Sequence, residues 1–552
     1  MVVPSCISGS VLSRLSRYRQ FKMIYWKGED MSEAQAQEMT GAQALVGTLA
    51  DHGVSACFAN PGTSEMHLVT ALDGEPRIRS VLCLFEGVAT GAADGFARVA
   101  GTPAMTLLHL GAGYLNGGAN IHNAGRASTP MINVIGDHAV PHLRYDAPLT
   151  SDIVGLAGPN SRWIKSANKV TDTGALAAEA FAASFGPKPG PVSLLLPADS
   201  AWTEGGVIGE QIPTPALRNV SEDEIASAVA ALSKASDPVL IINGTALSEP
   251  GLKAAARLKA AGIRILTDTF YAKMRRGAGV FAPERMQYFA EGAMADLEGS
   301  DLMGVVGTNA PVAFFAYPGK PSLLVPEGCD VLDLGDAGTD SAATLSALAD
   351  AMGANEAAPV EVLAQPEMPT GDLTAQAVGQ SLARHMPEEA LVSDDGVSNG
   401  LLSYMPTTNA QAHDWMMLTG GAIGQGMPLA LGAAIAAPNR KVICLSGDGA
   451  GMYTNQALWS MAREDADVTT IVFVNHSYRI LNIELYRTGA GNPGPTAKSM
   501  LSIGGPDIDW VGLSTSLGVP AVEATTAEAF DQALAESIAA PGPRLIAAVV
   551  PG

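Results

Sequence analysis

Residues 441–475, KVICLSGDGAGMYTNQALWSMAREDADVTTIVFVN, predict a parallel β-sheet with a ligand site at its edge. The stretch begins with an apolar strand, 441–445, and ends with a second one, 469–474, and the segment between them has the composition of a helix. A strand, a helix and a second strand in this order form a βαβ unit, whose two strands run in the same direction. The tetrapeptide 446–449 (SGDG) and Asn475 each follow one of these strands, at the edge where doubly wound sheets bind ligands.

Asp448 and Asn475 place a carboxylate and an amide oxygen at neighbouring strand ends, 27 residues apart in the chain. Mg²⁺ prefers oxygen ligands in octahedral geometry and often takes the remaining ligands from phosphate groups. The glycines beside the aspartate, Gly447 and Gly449, allow the backbone to approach such a phosphate closely. A Gly-Asp-Gly triplet alone is common in turns, but its place between a strand and a helix and the spacing to Asn475 indicate a metal and phosphate site.

The rest of the chain repeats this alternation of short apolar runs and amphipathic stretches. The rhythm is typical of βαβ units, so we predict an α/β protein with three doubly wound parallel sheets. The predicted units are residues 38–205, 206–369 and 370–552, with a linker rich in proline and glutamate at 354–370. The predicted strands are residues 54–59, 81–85, 104–110, 131–135, 192–196, 238–243, 264–267, 301–307, 331–335, 390–393, 441–445, 469–474 and 545–550.

The composition excludes several classes of protein. The 552 residues are 47% hydrophobic and 16% charged, which excludes an intrinsically disordered protein. The net charge of −22 argues against nucleic acid or an anionic membrane as the principal partner. The five cysteines lie far apart without a CxxC pair, so we expect no zinc site, no disulfide framework and a cytoplasmic location. No apolar run reaches the ~18 residues that a membrane-spanning helix needs.

The first 37 residues differ from the rest of the chain. Residues 1–28 are rich in arginine and serine and contain no acidic residue. A transit peptide has this composition too, but an over-long start or a disordered arm is the preferred interpretation, because the periodic pattern begins only near Met39. We therefore leave residues 1–37 out of the predicted fold.

The motif around Asp448 resembles the diphosphate- and metal-binding signature of the thiamine-diphosphate (ThDP) enzymes, in particular the decarboxylase and acetolactate synthase group. The resemblance extends over about the three predicted units and implies a pyrimidine-binding, a central and a diphosphate-binding domain, in this order. It implies that Asp448, Asn475 and the backbone oxygen of Ser477 bind Mg²⁺, and that Tyr478 lies at the cofactor. One departure is visible, because the family usually ends this motif with two asparagines and this chain has one.

Glu86 follows the predicted strand VLCLF and precedes the small-residue segment GVATGAADGFARVAG. From the residues alone, Glu86 is a carboxylate at a helix N-terminus, where the helix dipole stabilises it. The resemblance implies instead that Glu86 hydrogen-bonds N1′ of the cofactor's aminopyrimidine. This bond favours the tautomer whose 4′ nitrogen removes the C2 proton of the thiazolium ring.

His109 lies at the end of a predicted strand and precedes a predicted glycine-rich turn at 111–113. The glycines that follow come too late for a dinucleotide fingerprint, which argues against NAD. A single histidine is most often structural, yet its unperturbed titration near neutral pH suits proton transfer. The segment resembles that of benzoylformate decarboxylase, which implies that His109 relays protons at the substrate. The turn 60–65 matches the same relative, which implies that Thr63 contacts the substrate carboxylate.

The glycine-rich segment 420–428 (GGAIGQGMP) is, on its own, an ordinary loop that opens a helix. The resemblance implies that Ile423 wedges between the two rings of ThDP and fixes their bent arrangement, a case of geometric pre-organisation. It also places Gly421 at the cofactor and assigns Ser398, after the strand 390–393, to the diphosphate.

Four further residues are weaker candidates. Leu481 and Glu484 are expected to face the substrate pocket, although a solvated helix carboxylate is the more common role for Glu484. The segment 270–279 has no histidine where benzoylformate decarboxylase has its second catalytic one. Its Arg275 and Arg276 either bind an anionic substrate group or form a surface pair.

These residues predict a ThDP- and Mg²⁺-dependent enzyme that cleaves or forms a carbon–carbon bond on a 2-oxo acid or related carbonyl substrate. An acetolactate synthase-like carboligase is the alternative within the family, and no FAD-binding pattern is found in the central unit. The alternatives of other classes are an NAD(P)-dependent oxidoreductase and a catalytically silent ThDP-fold binding subunit. The resemblance implies a homodimer or homotetramer with active sites at subunit interfaces.

Overall fold

A computed structural model describes residues 38–552, so the predicted N-terminal extension lies outside the described part of the chain. From Met39 to Gly552 the chain forms one unit with three β-sheets of six, five and seven strands. Parallel pairing dominates all three sheets, which confirms the predicted α/β fold class. No helix among the described residues is both long and apolar enough to cross a membrane.

The first sheet is built from the part of the chain that precedes residue 206. Its elements are α1 (Gly41–Asp51), β1 (Ala56–Asn60), α2 (Met66–Asp73), β2 (Arg79–Leu82), α3 (Glu86–Ala100), β3 (Ala104–Leu108), α4 (Leu110–Arg126), β4 (Met131–Asp137), α5 (Ile153–Ala157), β5 (Ile164–Ser166), α6 (Thr173–Phe185), β6 (Pro191–Pro197) and α7 (Ala198–Trp202). The six strands are parallel in the order β2-β1-β3-β4-β6-β5. Strands β3, β4 and β6 are buried along their whole length, as their continuous apolar runs predict.

The second sheet comes from the central part of the chain. The elements of this part are α8 (Glu222–Leu232), β7 (Pro238–Ile242), α9 (Glu249–Ala260), β8 (Arg264–Thr267), β9 (Met274–Arg276), β10 (Glu284–Arg285), α10 (Ala290–Leu297), β11 (Leu302–Val306), β12 (Asp330–Asp333) and α11 (Ser341–Ala351). Five of these strands form a parallel sheet in the order β10-β8-β7-β11-β12.

The third sheet contains the stretch with the SGDG motif. Its part of the chain comprises α12 (Ala375–His385), β13 (Leu391–Asp395), α13 (Ser398–Tyr404), β14 (His413–Met417), α14 (Gly426–Ala436), β15 (Val442–Gly447), α15 (Asp448–Thr454), α16 (Ala457–Glu464), β16 (Val468–Val474), α17 (Arg479–Arg487), α18 (Pro495–Met500), α19 (Trp510–Ser516), β17 (Ala521–Ala524), α20 (Ala527–Ala539) and β18 (Arg544–Val549). The strand order is β17-β18-β16-β15-β13-β14-β9.

The fold differs from the sequence prediction in several features, and five of the described strands, β5, β9, β10, β14 and β17, were not predicted. The predicted glycine-rich turn after β3 is helical, because Gly111 and Gly113 lie in the first turns of α4. Strand β9, from the central part of the chain, pairs antiparallel with β14 at the edge of the third sheet. The predicted single helix after Asp448 is two helices, α15 and α16. The glycines of α4 are accommodated by packing, since a Cβ at Gly117 would approach the Thr90 side chain to 2.7 Å.

Helices α3 and α14 connect the first and third sheets at a close crossing. A Cβ at Gly95 would overlap the carbonyl group of Leu429, and a Cβ at Gly432 would overlap that of Ala92. Glycine at these positions therefore lets the two backbones touch. The crossing thus connects the helix that begins at Glu86 with the helix that follows the glycine-rich loop.

A buried ion pair lies beside this crossing. The side chains of Arg98 and Asp94 are 1% and 0% exposed and share two hydrogen bonds of 2.8 and 2.7 Å. Arg98 also donates to the carbonyl oxygen of Met417, and Asp94 accepts from Nε2 of Gln425 at 2.7 Å. The pair thus ties α3 to the segment that carries the glycine-rich loop.

Replacing Arg98 with methionine is expected to destabilise the fold by ~3–5 kcal/mol, because Asp94 then stays buried without its cation. Thermal unfolding measures this loss as a large drop in the midpoint temperature. The control is Arg77→Met, at an ion pair whose arginine side chain is 54% exposed, where little change is expected. An Arg98→Met midpoint equal to that of the wild type would contradict the assigned role of this pair.

Candidate active site

Four neighbouring strands of the third sheet, β16, β15, β13 and β14, each lead into one of the predicted cofactor residues. Asn475 follows β16, Asp448 follows β15, Ser398 begins α13 after β13, and Ile423 lies in the loop after β14. The strands are parallel to one another, so these residues lie at the same edge of the sheet. This edge is where open α/β sheets bind ligands.

The Asp448 carboxylate is held by three backbone N–H groups. Oδ1 accepts from Gly449 at 2.8 Å, and Oδ2 accepts from Asn475 at 3.0 Å and His476 at 2.7 Å. The Asn475 side-chain oxygen accepts in turn from the backbone N–H of Ser477 at 3.0 Å. Burial raises the pKa of the Asp448 carboxyl, and the three backbone hydrogen bonds oppose this shift. The structure thus brings together the three residues predicted to bind a metal.

The glycines of the SGDG motif have different surroundings. A Cβ at Gly449 would come within 2.5 Å of the Tyr478 ring, so glycine is required for this tyrosine to pack there. At Gly447 the nearest atom to a Cβ would be the side chain of Ala450, at 3.9 Å. The protein itself therefore leaves free space in front of Gly447, beside Asp448.

The loop that carries Ile423 is fixed by a buried aspartate that the sequence analysis did not single out. Asp395 Oδ2 accepts from the backbone N–H groups of Gly424 at 2.8 Å and Gly426 at 3.2 Å. Gly424 also packs on Tyr453 of α15, the helix that begins at Asp448. The signal in the sequence was the second aspartate of the segment 393–396 (SDDG), directly after a strand.

Asp395 gives a prediction about pH. Burial raises its pKa to about 7, so the folded protein keeps this proton at a pH where an ordinary carboxyl has lost it. The contribution of Asp395 to the stability of the wild type should therefore fall from pH 4 to pH 7, at about 1.4 kcal/mol per pKa unit of difference. Asp395→Asn removes this dependence, so its unfolding midpoint should rise relative to the wild type between pH 5 and pH 8. Midpoints that stay parallel across this range, as expected for the exposed Asp146→Asn, would contradict the prediction.

The first sheet brings Glu86 and His109 together. Glu86 begins α3 beyond β2, and His109 is the residue between β3 and α4. A Cβ at Gly113 would lie 3.0 Å from Oε1 of Glu86 and 3.4 Å from Cβ of His109, so the two side chains flank the same glycine. The Glu86 side chain is buried, and its Oε2 accepts from Nδ2 of Asn116 at 3.0 Å. The sequence analysis missed Asn116, which no local motif distinguishes.

Thr63 lies on the same edge of the first sheet, in a 3₁₀ turn after β1, Thr63–Glu65. Thr63 itself is exposed, whereas Glu65 is fully buried and has a carboxylate oxygen 2.8 Å from Nδ1 of His109. Burial raises the pKa of the Glu65 carboxyl, and the contact with His109 opposes this shift. The sequence analysis quoted Glu65 as part of the turn but gave it no role.

Backbone strain accompanies three of the predicted site residues. Leu110, directly after His109, has φ +54° and is buried. Val397, directly before Ser398, has φ +50°, and His476, directly after Asn475, has φ +54°. Positive φ is unfavourable for residues with a Cβ, most of all for a β-branched valine, and such strain clusters at functional sites.

Arg275 and Arg276 lie away from these two groups, in β9. The Arg275 guanidinium pairs with Glu389, and the Arg276 guanidinium lies 3.4 Å from the centre of the Tyr404 ring. Arg276 is 6% exposed, so the expected surface pair is wrong for this residue. Arg275 also lies 3.9 Å from Asp414 of β14, and Arg276 donates to Thr407 and Thr408 beyond α13, and none of these partners is a candidate site residue.

The two candidates on α17 have different positions. Leu481 is 46% exposed, near the start of the helix. Glu484 is partly buried, and its Oε2 accepts from the hydroxyl group of Tyr317 at 2.8 Å. Glu484 is therefore not a solvated helix carboxylate, because it connects α17 to the central part of the chain.

Comparison with known proteins identifies the family. The chain matches the family models "Thiamine pyrophosphate enzyme, N-terminal TPP binding domain" at residues 39–155 and "Thiamine pyrophosphate enzyme, C-terminal TPP binding domain" at residues 397–548. It is 50% identical over 517 residues to a Mycobacterium tuberculosis protein named "Putative acetolactate synthase large subunit IlvX", which covers 93% of this chain and 99% of that protein. The chain belongs to the ThDP-dependent enzymes of the decarboxylase and acetolactate synthase family.

Other members of this ThDP enzyme family are more distant. The benzoylformate decarboxylase of Pseudomonas aeruginosa is 28% identical over 533 residues, which cover 90% of this chain and 96% of that protein. The structure of the ThDP-dependent 4-hydroxybenzoylformate decarboxylase of Rhodococcus jostii RHA1 has a TM-score of 0.82 at 22% identity, with 93% of this chain and 99% of that one covered. The three-sheet architecture is thus that of a ThDP enzyme.

The residues at the third sheet fit the diphosphate end of ThDP with a hard cation. An ionised carboxylate has about four lone-pair sites, and backbone N–H groups occupy three of those on Asp448, which leaves one for a metal ion. The Asn475 oxygen has two lone pairs, and Ser477 uses one. A Cβ at Gly447 would meet nothing closer than Ala450 at 3.9 Å, so the backbone beside these ligands is open to a bound group. Oxygen donors of this kind suit Mg²⁺.

Proposed function

We propose that this ThDP enzyme acts with Mg²⁺ on 2-oxo acids and cleaves the carbon–carbon bond next to the carbonyl group. The observation that carries the proposal is the convergence of Glu86, His109 and the Thr63 turn at one edge of the first sheet. This arrangement offers a buried carboxylate to the cofactor, and an imidazole and a hydroxyl group to the substrate. The neighbouring strands β2, β1 and β3 lead to Glu86, Thr63 and His109, respectively.

Bound ThDP supplies a nucleophilic carbon for the substrate carbonyl and an electron sink for the bond that breaks. The protein then has to orient the reactants and move protons. Glu86 holds a proton at N1′ of the pyrimidine, while Asn116 keeps the carboxyl group in place through Oε2. His109 exchanges protons with the substrate, a task that contributes about 10²–10⁴-fold to rate in enzymes. Thr63 donates its hydroxyl hydrogen to the substrate carboxylate, and Leu481 borders the same pocket.

The third sheet holds the other end of the cofactor in this proposal. Asp448, Asn475 and the backbone oxygen of Ser477 bind Mg²⁺, and Ser398 donates to the diphosphate. Ile423 would contact the rings of the bound cofactor, and Asp395 fixes the loop on which Ile423 lies. Tyr478 packs over Gly449 and closes this end of the site.

We infer that two copies of the chain complete the site. Asp94 and Arg98, eight and twelve residues beyond Glu86 on α3, contact Gln425 of the glycine-rich segment and Thr419 directly before it, so Glu86 lies about 12–18 Å along the helix axis from these contacts. Apolar side chains are exposed beside both halves of the site: Leu84 and Leu115 are 46% and 60% exposed near Glu86, and Met452 and Tyr453 are 41% and 55% exposed on α15. Such patches mark interaction surfaces. A homodimer, or a homotetramer made of two such dimers, would cover them.

Acetolactate synthase-like carboligation is the second candidate. It is favoured by the 50% identity to the Mycobacterium tuberculosis relative, whose name refers to that activity. The two candidates share the first half of the reaction, the loss of CO₂. They differ in what then bonds to the former carbonyl carbon: a proton in the decarboxylase, or a second 2-oxo acid in the carboligase. His109 favours the first outcome, because it can deliver the proton.

A substrate panel tests the proposal. The full chain, loaded with ThDP and Mg²⁺, is incubated with benzoylformate, with pyruvate and with longer 2-oxo acids, and the products are separated. Release of an aldehyde and CO₂ supports a decarboxylase, and acetolactate from pyruvate supports the second candidate. Stabilisation of the protein against heat by NAD(P)H but not by ThDP with Mg²⁺ would contradict both.

A further inference from the structure

Glu65 is a buried carboxyl group with a site built around it. It ends the 3₁₀ turn after β1, and its side chain is 0% exposed. A Cβ at Gly136 on β4 would overlap Oε1 of Glu65, so a glycine at this position is required to admit the carboxyl group. Burying a carboxyl group is costly unless it has partners. The structure thus buries Glu65 at a position where burying an apolar side chain would cost less free energy.

The hydrogen-bond partners of the Glu65 side chain contact one of its two carboxylate oxygens. Oε2 accepts from the backbone N–H of Gly62 at 2.7 Å and lies 2.8 Å from Nδ1 of His109. Gly62 also supports the ring, because a Cβ at this position would overlap the imidazole atoms around Nδ1. The imidazole of His109 is therefore held on one side by a glycine and at Nδ1 by a carboxylate oxygen.

The direction of the hydrogen bond follows from these contacts. Oε2 already accepts from Gly62, so it acts as an acceptor toward His109 as well. If the carboxyl group takes up a proton, Oε1 is the oxygen that carries it, and Oε2 stays an acceptor. Nδ1 of His109 must then carry a hydrogen in the neutral ring, which leaves Nε2 with the free lone pair.

We propose that Glu65 is a positioning residue that fixes the Nδ1–H tautomer of His109 and presents Nε2 to the substrate. When Nε2 takes a proton from the substrate, the ring becomes a cation, whose charge the Glu65 carboxylate stabilises. When Nε2 returns the proton to the product, the neutral Nδ1–H ring is restored. This role rests on the proposed function of His109, but the tautomer itself is independent of any substrate. A histidine whose second nitrogen is fixed in this way is oriented and pre-organised for proton transfer.

The tautomer is measured on the full chain labelled with ¹⁵N-histidine, by solid-state NMR, with ThDP and Mg²⁺ bound and without substrate. His109→Asn assigns the His109 signals among those of the nine histidines. We expect a protonated Nδ1 and an unprotonated Nε2 in the wild type. Glu65→Gln should keep this pattern, because the amide oxygen can still accept from Nδ1. Glu65→Met, which has a similar length and no acceptor, should lose the preference.

Kinetics provide the second readout. Glu65→Met should lower kcat by about 10²-fold, a part of what a positioned proton-transfer group contributes, with little change in KM. Glu65→Gln should have a kcat much closer to that of the wild type. The double variant Glu65→Met/His109→Asn should have the same kcat as His109→Asn alone, because both substitutions act through the same imidazole.

The control is Glu179→Met, at a carboxylate of the same sheet region that accepts from Trp163 and Lys165 and does not contact His109. It should leave the tautomer and kcat unchanged. An unprotonated Nδ1 in the wild type overturns the proposal, and so does an unchanged tautomer in Glu65→Met. The wild-type spectrum needs no variant, so it decides the proposal even if Glu65→Met does not fold. If no 2-oxo acid is turned over but the tautomer follows Glu65, the proposed function fails and the inference about Glu65 stands.

Discussion

Replacing Glu86 with glutamine leaves the protein folded and able to bind ThDP, but lowers its turnover by about 10²–10⁴-fold. The amide oxygen of glutamine can still accept from Asn116, so the local structure is preserved. The amide cannot hold and release a proton at N1′ of the pyrimidine, which is the task proposed for the carboxyl group. Steady-state kinetics on the substrate found in the panel, together with a ThDP titration followed by circular dichroism, measure the two effects separately.

The control for this prediction is Glu75→Gln, at a partly buried carboxylate of the same part of the chain that pairs with Arg77. It should leave both turnover and ThDP binding unchanged. A Glu86→Gln variant with wild-type turnover would refute the role of Glu86. A variant that no longer binds ThDP would show that Glu86 serves binding rather than proton transfer.

The second large effect is expected at the other end of the cofactor. Asp448→Ala should weaken retention of ThDP by at least about 10–100-fold. Replacing a residue that only hydrogen-bonds to a metal ligand already lowers metal affinity by about this factor, and Asp448 is proposed to be a ligand itself. The variant removes the carboxylate and also frees three backbone N–H groups, those of Gly449, Asn475 and His476. Gel filtration of the loaded protein, followed by a ThDP assay of the protein fraction, measures the retained cofactor.

Metal removal separates the role of Asp448 from a general loss of structure. In the wild type, EDTA should release ThDP and added Mg²⁺ should restore its retention, whereas Mg²⁺ should not rescue Asp448→Ala. Glu523→Ala, at an exposed position of β17, serves as the control and should behave like the wild type. Full retention of ThDP by Asp448→Ala in the presence of EDTA would contradict the metal site.

The fold follows from local sequence because most of its strands are continuous apolar runs with turn residues at their ends. The predicted strand 469–474 corresponds to β16, Val468–Val474, and the predicted strand 441–445 to β15, Val442–Gly447. Strand β9 was not predicted, because its three residues become a strand only by pairing with β14, more than a hundred residues away. Likewise, Arg276 is buried because the ring of Tyr404, at the end of α13, covers it.

In the candidate site, too, some residues are recognisable from the local sequence and others only from contacts with distant parts of the chain. Glu86, His109 and Asp448 stand directly after predicted strands, which drew attention to them, and the resemblance to the ThDP enzymes supplied the roles of Glu86 and His109. Glu65 could not be assigned a role in this way, because its partner lies 44 residues further along the chain. Asp395 was equally hidden, since the loop that it supports comes almost thirty residues later.

The crossing of α3 and α14 has a consequence for how this enzyme could diversify. Gly95 and Gly432 leave no room for even one methyl group, so we expect almost any substitution at these two positions to disrupt the packing of the two helices. The loops after β1 and β16, by contrast, carry the exposed side chains of Thr63 and Leu481. We expect new substrate preferences to evolve in those loops, while the helix pair is inherited unaltered by every descendant of the scaffold.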